Sequence, residues 1–170
     1  MILPVAALIA IVVMMLAELW LSRSNERWMF GHGAVAPPDP VYSTMRWAYP
    51  GAFIAMAAEG VIAGGPSERV ALAGVILLVL AKAVKFWAIA SLGTRWTYRV
   101  LVVPGAPLVA SGPYRLMRHP NYVGVVGELI AMALLSNARV TGPMALIGFS
   151  WLLIQRITAE ERALGLRTGA

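Results

Sequence analysis

Arg118, His119, Pro120, Asn121 and Tyr122 form a run of side chains suited to chemistry, set after Gly112-Pro113-Tyr114-Arg115 and before an apolar segment. Proline in the first turn of a helix loses nothing by lacking an N–H, so Pro120 marks a helix start. The unpaired amides of such a turn, with the positive end of the helix dipole, suit a carboxylate or phosphate. Arg118 adds a fixed cation, His119 a ring that donates or accepts, and Tyr122 an aromatic face with a hydroxyl, a set able to hold a zwitterion. Gly124 and Gly127 leave room for a close helix neighbour or for an adenine-sized ring. The bland alternative is a helix end anchored at lipid headgroups by Arg118 and His119.

Ionisable groups within apolar segments are expensive and usually pair or line a cavity. Five stand there: Glu18, Glu59, Lys82, Lys85 and Glu128. Lys82 and Lys85 share a helical face and either snorkel, pair or meet substrate. Glu18, near the end of its segment, reads as structural. Glu128 follows Tyr122 by six residues, so it faces the same cavity or pairs with Lys82 or Lys85, and it stands as a catalytic candidate beside Glu161 and Arg156.

The elements that position these residues are set by composition. Of 170 residues, 59% are hydrophobic and 13% charged, and the mean hydropathy of +0.74 lies outside the range of ordinary globular domains. A bilayer core of about 30 Å needs roughly 20 apolar residues per helix. The expected fold is therefore all-α, a polytopic membrane bundle of about five transmembrane helices, a single integral membrane domain over 1–170. The lack of cysteine excludes disulfides, thiolate metal sites and a cysteine nucleophile, and two histidines are too few for a histidine-rich metal cluster. No metal is expected. The net charge of +6 reads as a topology signal rather than as a nucleic-acid footprint.

Apolar segments fall at about 2–21, 44–63, 69–91, 122–135 and 141–157. The first lacks a basic leader and a cleavage pattern and is expected to be a retained helix. Residues 22–40, with glycines and Pro37-Pro38, read as a loop, and Pro50 is expected to kink the second helix. In the long polar interval 92–121, residues 98–103 and 107–111 flank Pro104-Gly105 as a short hairpin or extended lid. Arg23, Arg27, Arg46, Arg95, Arg99, Arg115, Arg118, Arg156, Arg162 and Arg167 fall on one side, and only Arg69 and Arg139 on the other. By the positive-inside rule the N-terminus is outside and the C-terminus cytoplasmic, which places the Arg118–Tyr122 run and Glu160-Glu161 on one face.

The string GPYRLMRHPNYVGVVGEL, followed after an apolar run by Glu160-Glu161-Arg162, resembles the isoprenylcysteine carboxyl methyltransferase family and its bacterial relatives over about 86–164. The resemblance implies a small polytopic enzyme using S-adenosylmethionine, with 92–164 as its cofactor-binding and catalytic part, in a bacterial inner membrane with its active site facing the cytoplasm. It also implies that His119, Pro120 and Tyr122 are cofactor-binding positions of an RHPxY motif, that Tyr114 and Arg115 belong to its GPYR lead-in, and that Glu160 and Glu161 are its terminal acidic pair, across a pocket capped by the C-terminal segment. Past that pair, the string Leu164-Gly165-Leu166-Arg167-Thr168-Gly169 replaces the aromatic residues with which eukaryotic members complete the lid.

Methyl transfer is an in-line displacement, so the residues must orient donor and acceptor. A carboxylate acceptor needs only desolvation and alignment, by Arg156 or Arg115, whereas a phenol needs a base, Glu161 or His119. The expected partners are a lipophilic small molecule and membrane lipid, the acceptor entering sideways from the bilayer while the cofactor arrives from the cytoplasm. Three other readings compete: a phospholipid N-methyltransferase, a sterol-type reductase using NADPH, and a non-catalytic subunit or transporter with Lys82, Lys85, Glu59 and Glu128 as a polar path.

Overall fold

The computed structural model describes residues 2–166. Arg167 and the rest of the terminal string from 167 onward, used above for topology and lid, lie outside the described residues. The architecture is all-α, with five long helices: α1 (Ile2–Gly31), α2 (Tyr42–Ala63), α3 (Glu68–Leu92), α4 (Pro120–Ser136) and α5 (Thr141–Ala163). Two 3-10 turns, Gly93–Arg95 and Gly112–Arg115, punctuate the interval between α3 and α4. α1 and the stretch Glu68–Arg95 are long and apolar enough to cross a membrane. α4 is apolar but has only 17 residues, while α2 carries Arg46 and Pro50 and α5 carries Gln155, Arg156, Glu160 and Glu161 inside its span.

The outer face is more apolar than that of a water-soluble bundle, and charged side chains lie inside. Ile9, Val13 and Leu16 of α1, Leu72 and Val79 of α3, and Ile147, Trp151 and Ile154 of α5 are all more than half exposed, while Glu18, Lys82, Lys85 and Glu128 are buried. Apolar outer faces of this extent suit hydrocarbon rather than water. Inside, Ile11, Phe53, Met56, Leu129, Met132, Leu135 and Phe149 form one contiguous core.

Between lipid-facing helices close approach comes from small residues, because hydrophobicity gives no drive there. A Cβ on Gly124 would meet Lys85 Cβ at 2.9 Å and Ala81 O at 3.1 Å, and one on Gly127 would meet Ala81 Cβ at 2.8 Å. Both glycines therefore seat α4 against α3. At the opposite end Glu59 accepts hydrogen bonds from Val140 N (3.0 Å), Thr141 N (2.7 Å) and Thr141 Oγ1 (2.6 Å), capping α5 from α2.

Two expectations fail for traceable reasons. Residues 22–40 were expected to be a loop, yet α1 continues to Gly31. Two of its polar residues are not there for solvent: Ser22 and Asn25 are buried. Asn25 Nδ2 donates to Gly93 O (3.2 Å) and Trp96 O (2.7 Å), and Ser22 Oγ accepts from Tyr98 N (2.8 Å). Of the two alternatives for the interval around Pro104-Gly105, a short hairpin or an extended lid, the hairpin is also absent. Val102 instead forms an isolated antiparallel bridge with Val35 (2.9 and 3.0 Å), because Leu101 is drawn into a small cluster with Met29 and Ala34 at the end of α1. Arg95 Nη1 then holds Pro107 O at 2.6 Å.

Candidate functional site

The Arg118–Tyr122 run forms the start of α4. Pro120 is buried in the first turn, and His119, at the N-cap, makes no capping bond with its side chain. That ring is free to face outward, where α5 delivers the acidic pair on a continuous helix. His119 Nε2 lies 3.3 Å from Glu161 Oε1, and Nδ1 lies 3.8 Å from Glu160 Oε2. Arg118 Nη1 stands 3.7 Å from Glu161 Oε1. The Tyr122 hydroxyl donates to Glu160 Oε2 at 2.7 Å, and its ring stacks on His119 with centroids 5.6 Å apart.

Arg156 closes the arrangement from inside. Its Nε donates to the Tyr122 hydroxyl at 3.3 Å. Its two terminal nitrogens reach Asp39 Oδ2 and the Tyr98 carbonyl. Asp39 Oδ1 accepts from Tyr42 N at 3.2 Å, so this carboxylate ties the beginning of α2 to α5. Trp96 is buried alongside, its Nε1 donating to Asn121 Oδ1 at 3.3 Å.

Most of these groups, though not Asp39, Tyr98 or Glu161, line one cavity together with Arg95, Arg99 and Leu164. Of the residues expected from sequence, Tyr114, Arg118, His119, Tyr122, Arg156 and Glu160 line it. Glu161 stands behind His119, and Pro120 lies beneath. Arg115 is exposed on the preceding turn and outside the lining. Gly124 takes the first of its two readings, the close helix neighbour, since α3 fills the space a ring would need. Glu128, the third catalytic candidate, takes the ion-pairing alternative: it is fully buried and meets Lys82 Nζ at 3.0 Å and Lys85 Nζ at 3.2 Å. The lysines are thereby ion-paired rather than snorkelled, and Glu59, at the far end, breaks the polar path that a transporter reading requires.

Asp39, Trp96 and Tyr98 are contributors that sequence reasoning missed. The one available signal was Asp39, the sole aspartate in the chain, set among arginine-bearing segments. Burial, reinforced by Glu160, raises the Tyr114 phenol above its ordinary pKa, so at neutral pH it remains a donor.

Over 92 residues, covering 54% of each chain, the sequence is 32% identical to an uncharacterised protein of Haemophilus influenzae. It is 38% identical to YpbQ of Bacillus subtilis over 160 residues, which cover 92% of this chain and 94% of YpbQ. No solved structure matches. Residues 74–165, which span every cavity-lining residue, match the family model for isoprenylcysteine carboxyl methyltransferases. The chain belongs to the isoprenylcysteine carboxyl methyltransferase family.

Proposed function

We propose that the protein is a membrane methyltransferase that takes S-adenosylmethionine as donor and methylates a carboxylate or phenolic oxygen of a lipophilic acceptor. The observation that carries this reading is His119 standing between Glu160 and Glu161 at an uncapped helix start, beside Arg118 and Tyr122. The donor set fits the cofactor's ends. Arg118 and the positive end of the α4 dipole suit its carboxylate, although the Tyr122 and Val123 amides already donate to His119 O, and Glu160 suits its ammonium or ribose hydroxyls. The cavity measures about 80 Å³, against about 300–1,000 Å³ for typical ligand pockets. Binding therefore requires its walls to part, and the exposed side chains of Arg99 and Arg118 with the α5 end at Leu164 are the parts least held.

S-adenosylmethionine supplies a methyl group on a sulfonium, already activated for displacement. The protein's residues then have three tasks. Glu161 fixes the His119 ring, Tyr122 and Arg156 fix Glu160, and the aromatic faces of Trp96 and Tyr122 exclude water while offering electron-rich surfaces to a cation. An ionised carboxylate needs no further help. For a phenol, the His119–Glu161 pair is the base within reach.

Calorimetric titration of the purified protein with S-adenosylmethionine is expected to give saturable one-site binding. His119→Ala is expected to weaken it by about tenfold or more, the loss of one charge-assisted bond. Absence of binding by the folded wild type would sink the reading, and saturable binding of NADPH in its place would favour the reductase.

The arginine distribution supports an inner-membrane location with the cavity facing the cytoplasm. Arg23, Arg27, Arg95, Arg99, Arg115, Arg118 and Arg162 belong to the cavity end, whereas Arg69 and Arg139 belong to the other. Lack of native cysteine makes the check clean. In intact cells an impermeant maleimide is expected to label Ser67→Cys and not Ser24→Cys, and the reverse pattern would invert the topology.

A further inference from the structure

Four charged side chains that the proposed chemistry leaves unused meet inside the bundle. Lys82 Nζ lies 3.1 Å from Glu18 Oε1 and 3.0 Å from Glu128 Oε1. Lys85 Nζ lies 2.7 Å from Glu18 Oε2 and 3.2 Å from Glu128 Oε1. Each lysine touches both glutamates, so the four close into a neutral square with side chains no more than 6% exposed. Two tyrosines complete it. Tyr49 of α2 donates to Glu128 Oε2 at 2.6 Å, and Tyr98 donates to Glu18 Oε2 at 2.9 Å.

Tyr98 differs from the other members because it belongs to the interval between α3 and α4, which also walls the cavity. All its polar groups are engaged: the amide by Ser22 Oγ, the hydroxyl by Glu18, and the carbonyl by Arg156. Beyond Arg156 come the Tyr122 hydroxyl and Glu160. We propose that Tyr98 is a positioning residue, transmitting the fixed geometry of the buried square through Arg156 to the Tyr122–Glu160 wall of the site.

The physical basis is a contrast in stiffness. Displacing any member of the square separates opposite charges where the dielectric is low, so the square resists movement. The segment around residue 98 has no helix or paired strand of its own and needs an external reference. Burial and the neighbouring Glu18 carboxylate push the Tyr98 phenol well above its ordinary pKa, so its hydroxyl stays a donor across the physiological range. This inference rests on the methyltransferase reading only for the choice of ligand.

Because coupling claims need coupling evidence, the test is a double-mutant cycle of Tyr98→Phe and Arg156→Lys. Hydrogen exchange serves as the first readout and S-adenosylmethionine affinity as the second. Tyr98→Phe is expected to speed exchange at 155–161 by about tenfold without changing α2 or the outer half of α3. It is also expected to weaken cofactor binding by about five- to tenfold, the scale of one hydrogen bond. In the Arg156→Lys background the same change is expected to add less than about twofold, because the path is already cut.

Equal effects in both backgrounds, a uniform rise in exchange over all five helices, or unchanged exchange at 155–161 would each overturn the proposal. Exchange needs no ligand, so failure of the wild type to bind S-adenosylmethionine would count against the methyltransferase reading while the exchange cycle still decides this one. If Tyr98→Phe does not fold, Ser22→Ala removes the acceptor of the same residue's amide and is read by the same criteria.

Discussion

Lys85→Met is expected to cost about 3–5 kcal/mol of stability, the penalty for breaking one side of a buried ion pair while its partners stay in place. Lys85 is 1% exposed and serves both Glu18 and Glu128, so its removal leaves two carboxylates sharing Lys82. Water cannot reach them, and the excess negative charge must be relieved by protonation or by the helices moving apart. The compensated variant Lys85→Met with Glu128→Gln leaves the single Lys82–Glu18 pair. It is expected to recover most of the loss, since well-packed neutral replacements of buried ion pairs are often neutral or stabilising. Thermal unfolding in a fixed detergent measures both, and a double variant as unstable as the single one would mean that packing volume, not charge balance, sets the cost.

The second large effect is expected from Arg156→Ala. This side chain is 5% exposed and joins three acceptors from distant parts of the chain: Asp39, the Tyr98 carbonyl and the Tyr122 hydroxyl. Truncation leaves the Asp39 carboxylate largely buried without its cation, again at about 3–5 kcal/mol. S-adenosylmethionine binding is expected to fall below calorimetric detection, because Tyr122 and Glu160 lose the group that fixes them. Arg156→Lys keeps the charge but not the planar fork, so it is expected to retain the fold with intermediate affinity. Wild-type affinity in Arg156→Ala would separate this residue from the site altogether.

How far the sequence carried the reading depends on whether a feature is local. The start of α4 was legible because Pro120 and the residues around it encode a helix N-terminus within five positions. The convergence of His119 with Glu160 and Glu161 followed from placing helix ends on one face, a matter of charge counting and of family resemblance. Pairing across helices was not legible. Periodicity shows that Lys82 and Lys85 share a face but not which helix that face meets, so only the packing of α3 on α4 assigns Glu128 to the ion pair.

Asp39 escaped because Pro37-Pro38-Asp39-Pro40 reads as a turn, and turn residues are ordinarily solvated. The same presumption shortened α1. Ser22 and Asn25 look like the onset of a loop, although their polarity answers another segment's backbone rather than water. Gly124 was ambiguous for a simpler reason: an absent side chain leaves space, and only the neighbouring backbone decides what occupies it.

The charge square also constrains how the chain is made. Translation delivers Glu18 first, then Lys82 and Lys85, and Glu128 only after another forty-odd residues. Until α4 emerges, the members of the square already made are the two lysines of α3 and Glu18 of α1, an imbalance of one positive charge among them. A lysine at the centre of an inserting helix costs about 2.5–3.5 kcal/mol at the translocon. α3 therefore has reason to linger at the insertion machinery, and the arrival of α4 neutralises it by bringing Glu128 to both lysines. The square is thus complete once α4 has joined, whereas the cavity waits for α5 to bring Arg156 and Glu160 to Tyr122.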